Sequence, residues 1–143
     1  MFIGEVSKKV NIPIKTIRYY EELGLLHQPK RTLSKYRIYN QHDLEKLLFI
    51  KKAKDLGLTL AEIKKIIKRS SRGVEHTCCL VHEIFEQKIT EYENKIKELK
   101  DTKKRLNERL QHWVNPKDAK DIKFAICPQI ERSDDVARQK KGG

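Results

Sequence analysis

The sequence predicts a mainly α protein: a small winged helix-turn-helix domain, then one long coiled-coil helix and a short C-terminal tail. Three observations lead there. Residues Ile3 to Leu26, IGEVSKKVNIPIKTIRYYEELGLL, hold two short helical patterns on either side of the turn Asn11-Ile12-Pro13. Leu33 to Tyr39 alternates in the manner of a short β-ribbon, or wing. From Thr77 to Trp113 there is neither Gly nor Pro, and apolar residues recur at 3/4 spacing over several heptads.

Each element has its own local cause. The first helix is expected from about Gly4 to Val10, with Ile3, Val6 and Val10 on one face. Pro13 pre-sets the entry to a second helix, in which Ile14 and Ile17 should point inward, with Tyr20 or Glu21 one turn on. Gly24 stops it. After the wing, Asn40 with Asp43 caps a third helix that carries Leu44, Leu47, Leu48 and Ile50 and stops at Gly57. Thr59 with Glu62 is a capping box opening a fourth helix through Ile63, Ile66 and Ile67, which Ser70 to Gly73 ends.

The long segment places Phe85, Ile89, Tyr92, Ile96, Leu99, Leu106, Leu110 and Trp113 on one seam, with Lys103 as a polar interruption. Nothing else in the chain is large enough to cover that seam, so it should pair with a second copy. Pro116 ends the helix, and an apolar knot is expected from Ile122 to Ile130. The domains are therefore residues 1–75, 76–114 and 115–143, and the last stretch, from Arg138 to Gly143, is expected to be disordered.

Charge says where a partner binds. The 143 residues carry a net charge of +12, and residues 1–75 hold 17 Lys+Arg against 8 Asp+Glu. That +9 excess sits in the half with the helix-turn-helix pattern, as a phosphate-binding surface requires. A short helix, a tight turn and a second helix bearing Arg18-Tyr19-Tyr20 is a way to read a DNA major groove. No apolar run is long enough to cross a membrane, and no signal peptide is apparent. Three cysteines, two of them adjacent, do not form a secreted disulfide framework, so a cytoplasmic protein with reduced thiols is expected. No nucleophile–base–orienter set and no Gly-rich phosphate loop is present, so the chain reads as a non-enzyme.

IGEVSKKVNIPIKTIRYYEELGLL followed by SKYRIYNQHDLEKLLFIKKAKDLGLTLAEIKKII closely resembles the MerR family of transcription regulators, over about residues 2–70. The resemblance implies a winged helix-turn-helix DNA-binding domain and a long helix that forms an antiparallel coiled-coil homodimer. It also implies an operator between the RNA polymerase recognition elements, whose over-long spacer is corrected when the effector makes the protein bend and untwist the DNA. Thr16, Arg18 and Tyr19 match the recognition-helix positions that face groove and backbone, and Tyr36 and Arg37 match the wing positions that grip phosphates. Arg and Tyr can satisfy phosphate oxygens, and Arg can also read a base edge. Core packing under the wing is the competing role for Tyr19, Tyr20 and Tyr39. Activation by bending puts much of the specificity into DNA deformability.

The effector chemistry lies in His76-Thr77-Cys78-Cys79-Leu80-Val81-His82 and Cys127-Pro128. Cys78 and His82 are four apart, on one helical face, and could share an ion. Cys79 points about 100° away from Cys78, so both thiols could chelate together only at a frayed helix start. From Cys78 to Trp113 is about 35 residues of helix, roughly 52 Å. The chain from Trp113 to Cys127 reaches at most about 50 Å fully extended. An antiparallel partner brings its own helix start beside this helix end, so Cys78 of one subunit and the partner's Cys127 make the economical shared site.

In the metal-sensing branch of the family a Cys at the helix start goes with soft divalent metals, and Cys78 resembles that residue. ICPQIE is similar to the Cys-Pro that closes the metal loop. Those sensors carry another Cys just past the long helix; here Leu110 to Pro116 has none, leaving His112 or Cys79 as the third ligand. Zinc, cadmium, mercury and lead all suit such thiolates as effector. The alternatives are a MerR-type regulator responding to oxidants or electrophiles through Cys78-Cys79, or a thiol enzyme or adaptor with a vestigial helix-turn-helix. A drug sensor would need a larger ligand domain than the tail provides.

Overall fold

The computed structural model describes residues 1–118 and 120–133; the expected disorder from Arg138 to Gly143 lies outside the described residues. The described elements are helices α1 (Ile3–Val10), α2 (Ile14–Glu22), α3 (Gln41–Asp55), α4 (Leu60–Arg69), α5 (Val74–Gln111) and α6 (Pro128–Glu131), with a hairpin of β1 (Lys30–Arg31) and β2 (Arg37–Ile38). Two compact units divide after Glu86, so α5 contributes to both.

In the first unit, Asn11 ends α1 in the left-handed region, φ 54°, a conformation Asn tolerates better than most residues. Lys51 of α3 donates to the Val10 carbonyl at 3.1 Å, placing a cation where the helix end is negative. Gly24 at φ +76° follows α2, and a Cβ there would meet the end of Lys64 at 3.3 Å. The caps are local and reciprocal. Asn40 accepts from Asp43 N–H at 2.9 Å while Asp43 accepts from Asn40 N–H at 2.9 Å, and Thr59 and Glu62 repeat the pattern on α4. Each such cap stabilises by about 1 kcal/mol.

The core of this unit is built from Val6, Val10, Ile17, Leu47, Ile50, Ile63 and Ile66, all buried, with Ile84 of α5 packed among them. Ile14, expected to point inward, and Leu48 on the apolar run of α3 lie outside this core. Ile14 is 37% exposed because it opens the first turn of α2, while Ile17, Tyr20 and Glu21 take the inner face. Leu48 is exposed because the buried stripe of α3 is Asp43, Leu47, Ile50 and Ala53, and Leu48 lies about 100° round from Leu47.

The hairpin pairs Lys30 with Ile38 and Arg31 with Arg37, antiparallel. Its turn closes with Thr32 N–H to the Tyr36 carbonyl at 2.8 Å, Lys35 standing at φ 65°. Phe2 bridges Ile38, and Tyr39 N–H donates to the Met1 carbonyl at 2.8 Å, so the first residues run alongside the wing.

Helix α5 starts at Val74, three residues before the expected Thr77, because Gly73 at φ 104° closes the preceding 3-10 turn and Glu75 then favours the helix N-terminus. It ends at Gln111, and Trp113 lies just beyond it. In the second unit the expected apolar knot is not what holds the tail: Ile126 and Ile130 are 90% and 79% exposed. Polar groups hold it. Gln129 is buried and forms a reciprocal pair with the backbone of Val114, accepting from its N–H at 3.0 Å and donating to its carbonyl. Arg109 donates to the carbonyls of Gln129 and Arg132 at 3.1 and 2.9 Å, and Arg132 donates in return to those of His112 and Arg109. Two arginines thus satisfy carbonyls that the helix end would otherwise leave to solvent.

Candidate functional site

The first candidate surface combines α2 and the wing. Arg18 and Tyr19 are exposed on α2 and Thr16 is half-buried. On the wing Tyr36 is exposed, its ring packed edge-on against Phe2 at 6.2 Å, and Arg37 is half-buried. Tyr20 and Tyr39, for which core and surface roles were both open, are buried at 8% and 2% exposure.

Beneath this surface is a polar cluster that sequence reasoning did not assemble. Glu21, buried on α2, accepts a hydrogen bond from the Tyr39 hydroxyl and pairs with Arg37 Nε at 3.4 Å. Sequence periodicity turned Glu21 inward without naming its partners, which lie 16 and 18 residues away. Arg31 and Arg37 face each other across the hairpin, an arrangement that repels unless an anion lies near. Glu21 supplies that charge from below, and a small recess of about 80 Å³ lined by Glu21, Glu22, Gln28, Pro29, Arg31 and Arg37 opens beside it. Helix α2 and the wing are thereby fastened to each other through one carboxylate.

Burial pushes the Tyr39 phenol far above its ordinary value of 10.0; the hydrogen bond to Glu21 and its charge act in the same sense, opposed by Arg37 and Arg18. The phenol's contribution to stability is complete below about pH 10 and is lost as pH rises from there toward the folded value. Tyr39→Phe should lower stability at neutral pH by about 1.5–3 kcal/mol, the range for a hydrogen bond to a charged group. Urea unfolding at pH 7 and pH 11 checks both points: the difference between wild type and variant should shrink at the higher pH.

The second candidate region is the set of thiols and imidazoles. Cys78 and Cys79 are exposed in the first two turns of α5. Since α5 is regular from Val74, no frayed start brings the two side chains together. His82 lies four residues from Cys78 but its Nδ1 faces Glu86 at 3.3 Å on the exposed side of α5. In the second unit Cys127 is half-buried and lines a groove of about 620 Å³ with Leu106, Leu110, Trp113 and Ile130. His112 is half-buried, and its carbonyl accepts from Arg132. Among the described residues, no three His, Cys, Asp or Glu side chains come together as a metal-holding group. Sequence reasoning also missed Glu131, whose carboxylate gathers the backbone around Cys127. The signal was present: Pro128 opens a helical turn, and an acid three residues later can reach back to its start.

Among the described residues no helix is long and apolar enough to cross a membrane. Residues 1–70 match the family model described as MerR HTH family regulatory protein, and residues 44–109 match the one described as MerR, DNA binding. The chain is 36% identical over 129 residues to the mercuric resistance operon regulatory protein of Bacillus cereus, spanning 90% of this chain and 93% of that protein. It is 34% identical over 137 residues to the HTH-type transcriptional regulator HmrR of Rhizobium leguminosarum bv. viciae, spanning 96% and 100%. Among solved structures it is similar to the transcription regulator PbrR691 from Ralstonia metallidurans CH34 in complex with lead(II), with a TM-score of 0.70 and 29% identity over 82% of this chain and 93% of that one. Likeness carried along nearly the whole length, on a helix-turn-helix with a hairpin wing and a long following helix, means that this chain belongs to the MerR family of DNA-binding transcription regulators, which are not enzymes.

Proposed function

We propose that this regulator is a cytoplasmic homodimer that senses a soft divalent ion (zinc, cadmium, mercury or lead) and activates a promoter by distorting operator DNA under RNA polymerase. Thr16, Arg18, Tyr19, Tyr36 and Arg37 contact the double-stranded operator. Cys78 of one protomer and the partner's Cys127 hold the ion, with Cys79, His82 or His112 completing the set. The observation that carries this reading is the state of α5. Its seam residues Leu99, Leu106 and Leu110, and Trp113 just beyond it, are all more than 60% exposed, with Cys78 before this seam in the chain and Cys127 after it.

The energetics support pairing. Phe85, Ile89, Tyr92 and Ile96 are also exposed on the seam. Covering each half-exposed side chain yields about 1 kcal/mol, so two seams together yield on the order of 15 kcal/mol. The cost of association is about 4–15 kcal/mol. Half-buried and exposed thiols are the right donors for soft ions, and relatives named for mercuric resistance or solved with lead(II) support that class of effector.

Titrating the reduced protein with each of the four ions, with thiolate-to-metal absorbance as readout, tests the reading. We expect saturable binding by at least one of them and loss of it in C78A. Response of transcription to oxidant in metal-free buffer, with none to any of the four ions, would replace it by sensing through the exposed Cys78-Cys79 pair.

A further inference from the structure

The tail is held in two separate ways. Gln129, Arg109 and Arg132 dock it on the end of α5, as described above. Glu131 acts on the loop itself. One carboxylate oxygen accepts from Ala125 N–H at 2.8 Å; the other accepts from Ile126 and Cys127 N–H at 2.8 and 2.7 Å. Three successive backbone donors therefore converge on one anion, and they hold its carboxyl below the usual carboxylate range. The bonds wrap residues 125–127 around the carboxylate, and Pro128 constrains the residue before it to extended backbone. Cys127 accordingly stands at φ −144°, ψ 120°, with its side chain on the groove lined by Leu106, Leu110 and Trp113.

We propose that Glu131 is the positioning residue for the Cys127 thiolate, holding the loop in its ligating shape before any ion arrives; this rests on the metal reading above. Glu131 touches no ion in this role. It acts through the backbone, so that the loop's ordering cost falls in folding and not in ion binding. Outer groups that orient a ligand change metal affinity by about 10–100-fold when removed.

The test uses the full chain, reduced, with cadmium as the first probe and zinc, mercury or lead in its place if wild type takes up no cadmium, comparing wild type, Glu131→Gln and Asp121→Asn. The glutamine keeps the size of the side chain but turns a donor group toward donors; the asparagine removes an equal charge elsewhere in the tail. We expect Glu131→Gln to weaken binding of the probe ion by about 10–100-fold and to alter the thiolate-to-metal absorbance at saturation. Amide exchange at residues 125–127 should speed up in the metal-free variant, while its affinity for operator DNA without metal stays at the wild-type level. Asp121→Asn should match wild type throughout. Unchanged affinity for the probe ion or unchanged exchange in Glu131→Gln overturns the brace, and equal weakening in Asp121→Asn would reduce it to general electrostatics. Wild-type protein that takes up no cadmium, zinc, mercury or lead overturns the metal reading itself, which separates the two failures.

Discussion

Arg18→Ala is expected to abolish sequence-specific operator binding while leaving the fold intact. Arg18 is exposed on α2 and contributes nothing to the core around Ile17. Its positive charge, with that of Arg37, opposes the rise of the Tyr39 phenol. A bidentate base contact accounts for about 1–3 kcal/mol of discrimination, and a lost phosphate contact lowers the salt slope by about 1. Non-specific attraction should persist, because the first 75 residues keep a large cationic excess. Gel-shift titrations at several salt concentrations, on an operator selected from a random pool, separate the two terms. Wild-type affinity in the variant would remove Arg18 from the interface.

Mixing C78A with C127A subunits should restore metal binding that neither variant has alone. In a homodimer of either variant both shared sites lack one thiol. A heterodimer keeps one complete pair, Cys78 from the C127A chain with the partner's Cys127, and loses the other. One ion per heterodimer, measured after subunit exchange and separation by a purification tag, is the expected stoichiometry. No recovery would reject a site shared across the dimer, since cysteines used within one chain cannot complement one another. The same preparation tests the proposed switch: if ion binding at both ends re-aims the DNA domains, one bound ion should shift promoter activation less than two do.

Much of the fold was legible because its causes are local. The Asn40–Asp43 and Thr59–Glu62 caps, the turn at Asn11 and the stop at Gly24 involve residues within a turn of one another, and each formed where sequence placed it. The seam of α5 was legible for a different reason: a repeat sustained over many heptads outweighs any single exception such as Lys103. The exact start of α5 was not, because Val74 to His76 carries no cap signal of its own and the boundary depends on Gly73 closing the turn before it. Periodicity also misjudged Ile14, which sits at the edge of an apolar stripe, where neighbouring elements decide burial.

At the candidate sites the division is sharper. Residue types and the family resemblance put Arg18, Tyr36 and Arg37 forward as DNA contacts and Cys78 and Cys127 as soft ligands. They did not reveal that Arg37 answers to Glu21, that Tyr39 donates to the same carboxylate, or that Arg109, Gln129 and Arg132 lock the tail. Sequence by itself determined the helices and their caps, the basic half and the apolar seam, because periodicity, capping and charge density act over a few residues or sum over many; the family came from resemblance along a long motif. Tertiary structure alone decided which tyrosines are buried, what holds the wing against α2, and how Cys127 is presented. A buried hydrogen bond needs one specific partner at about 3 Å, and nothing in the spacing of residues along the chain says which partner folding will bring there.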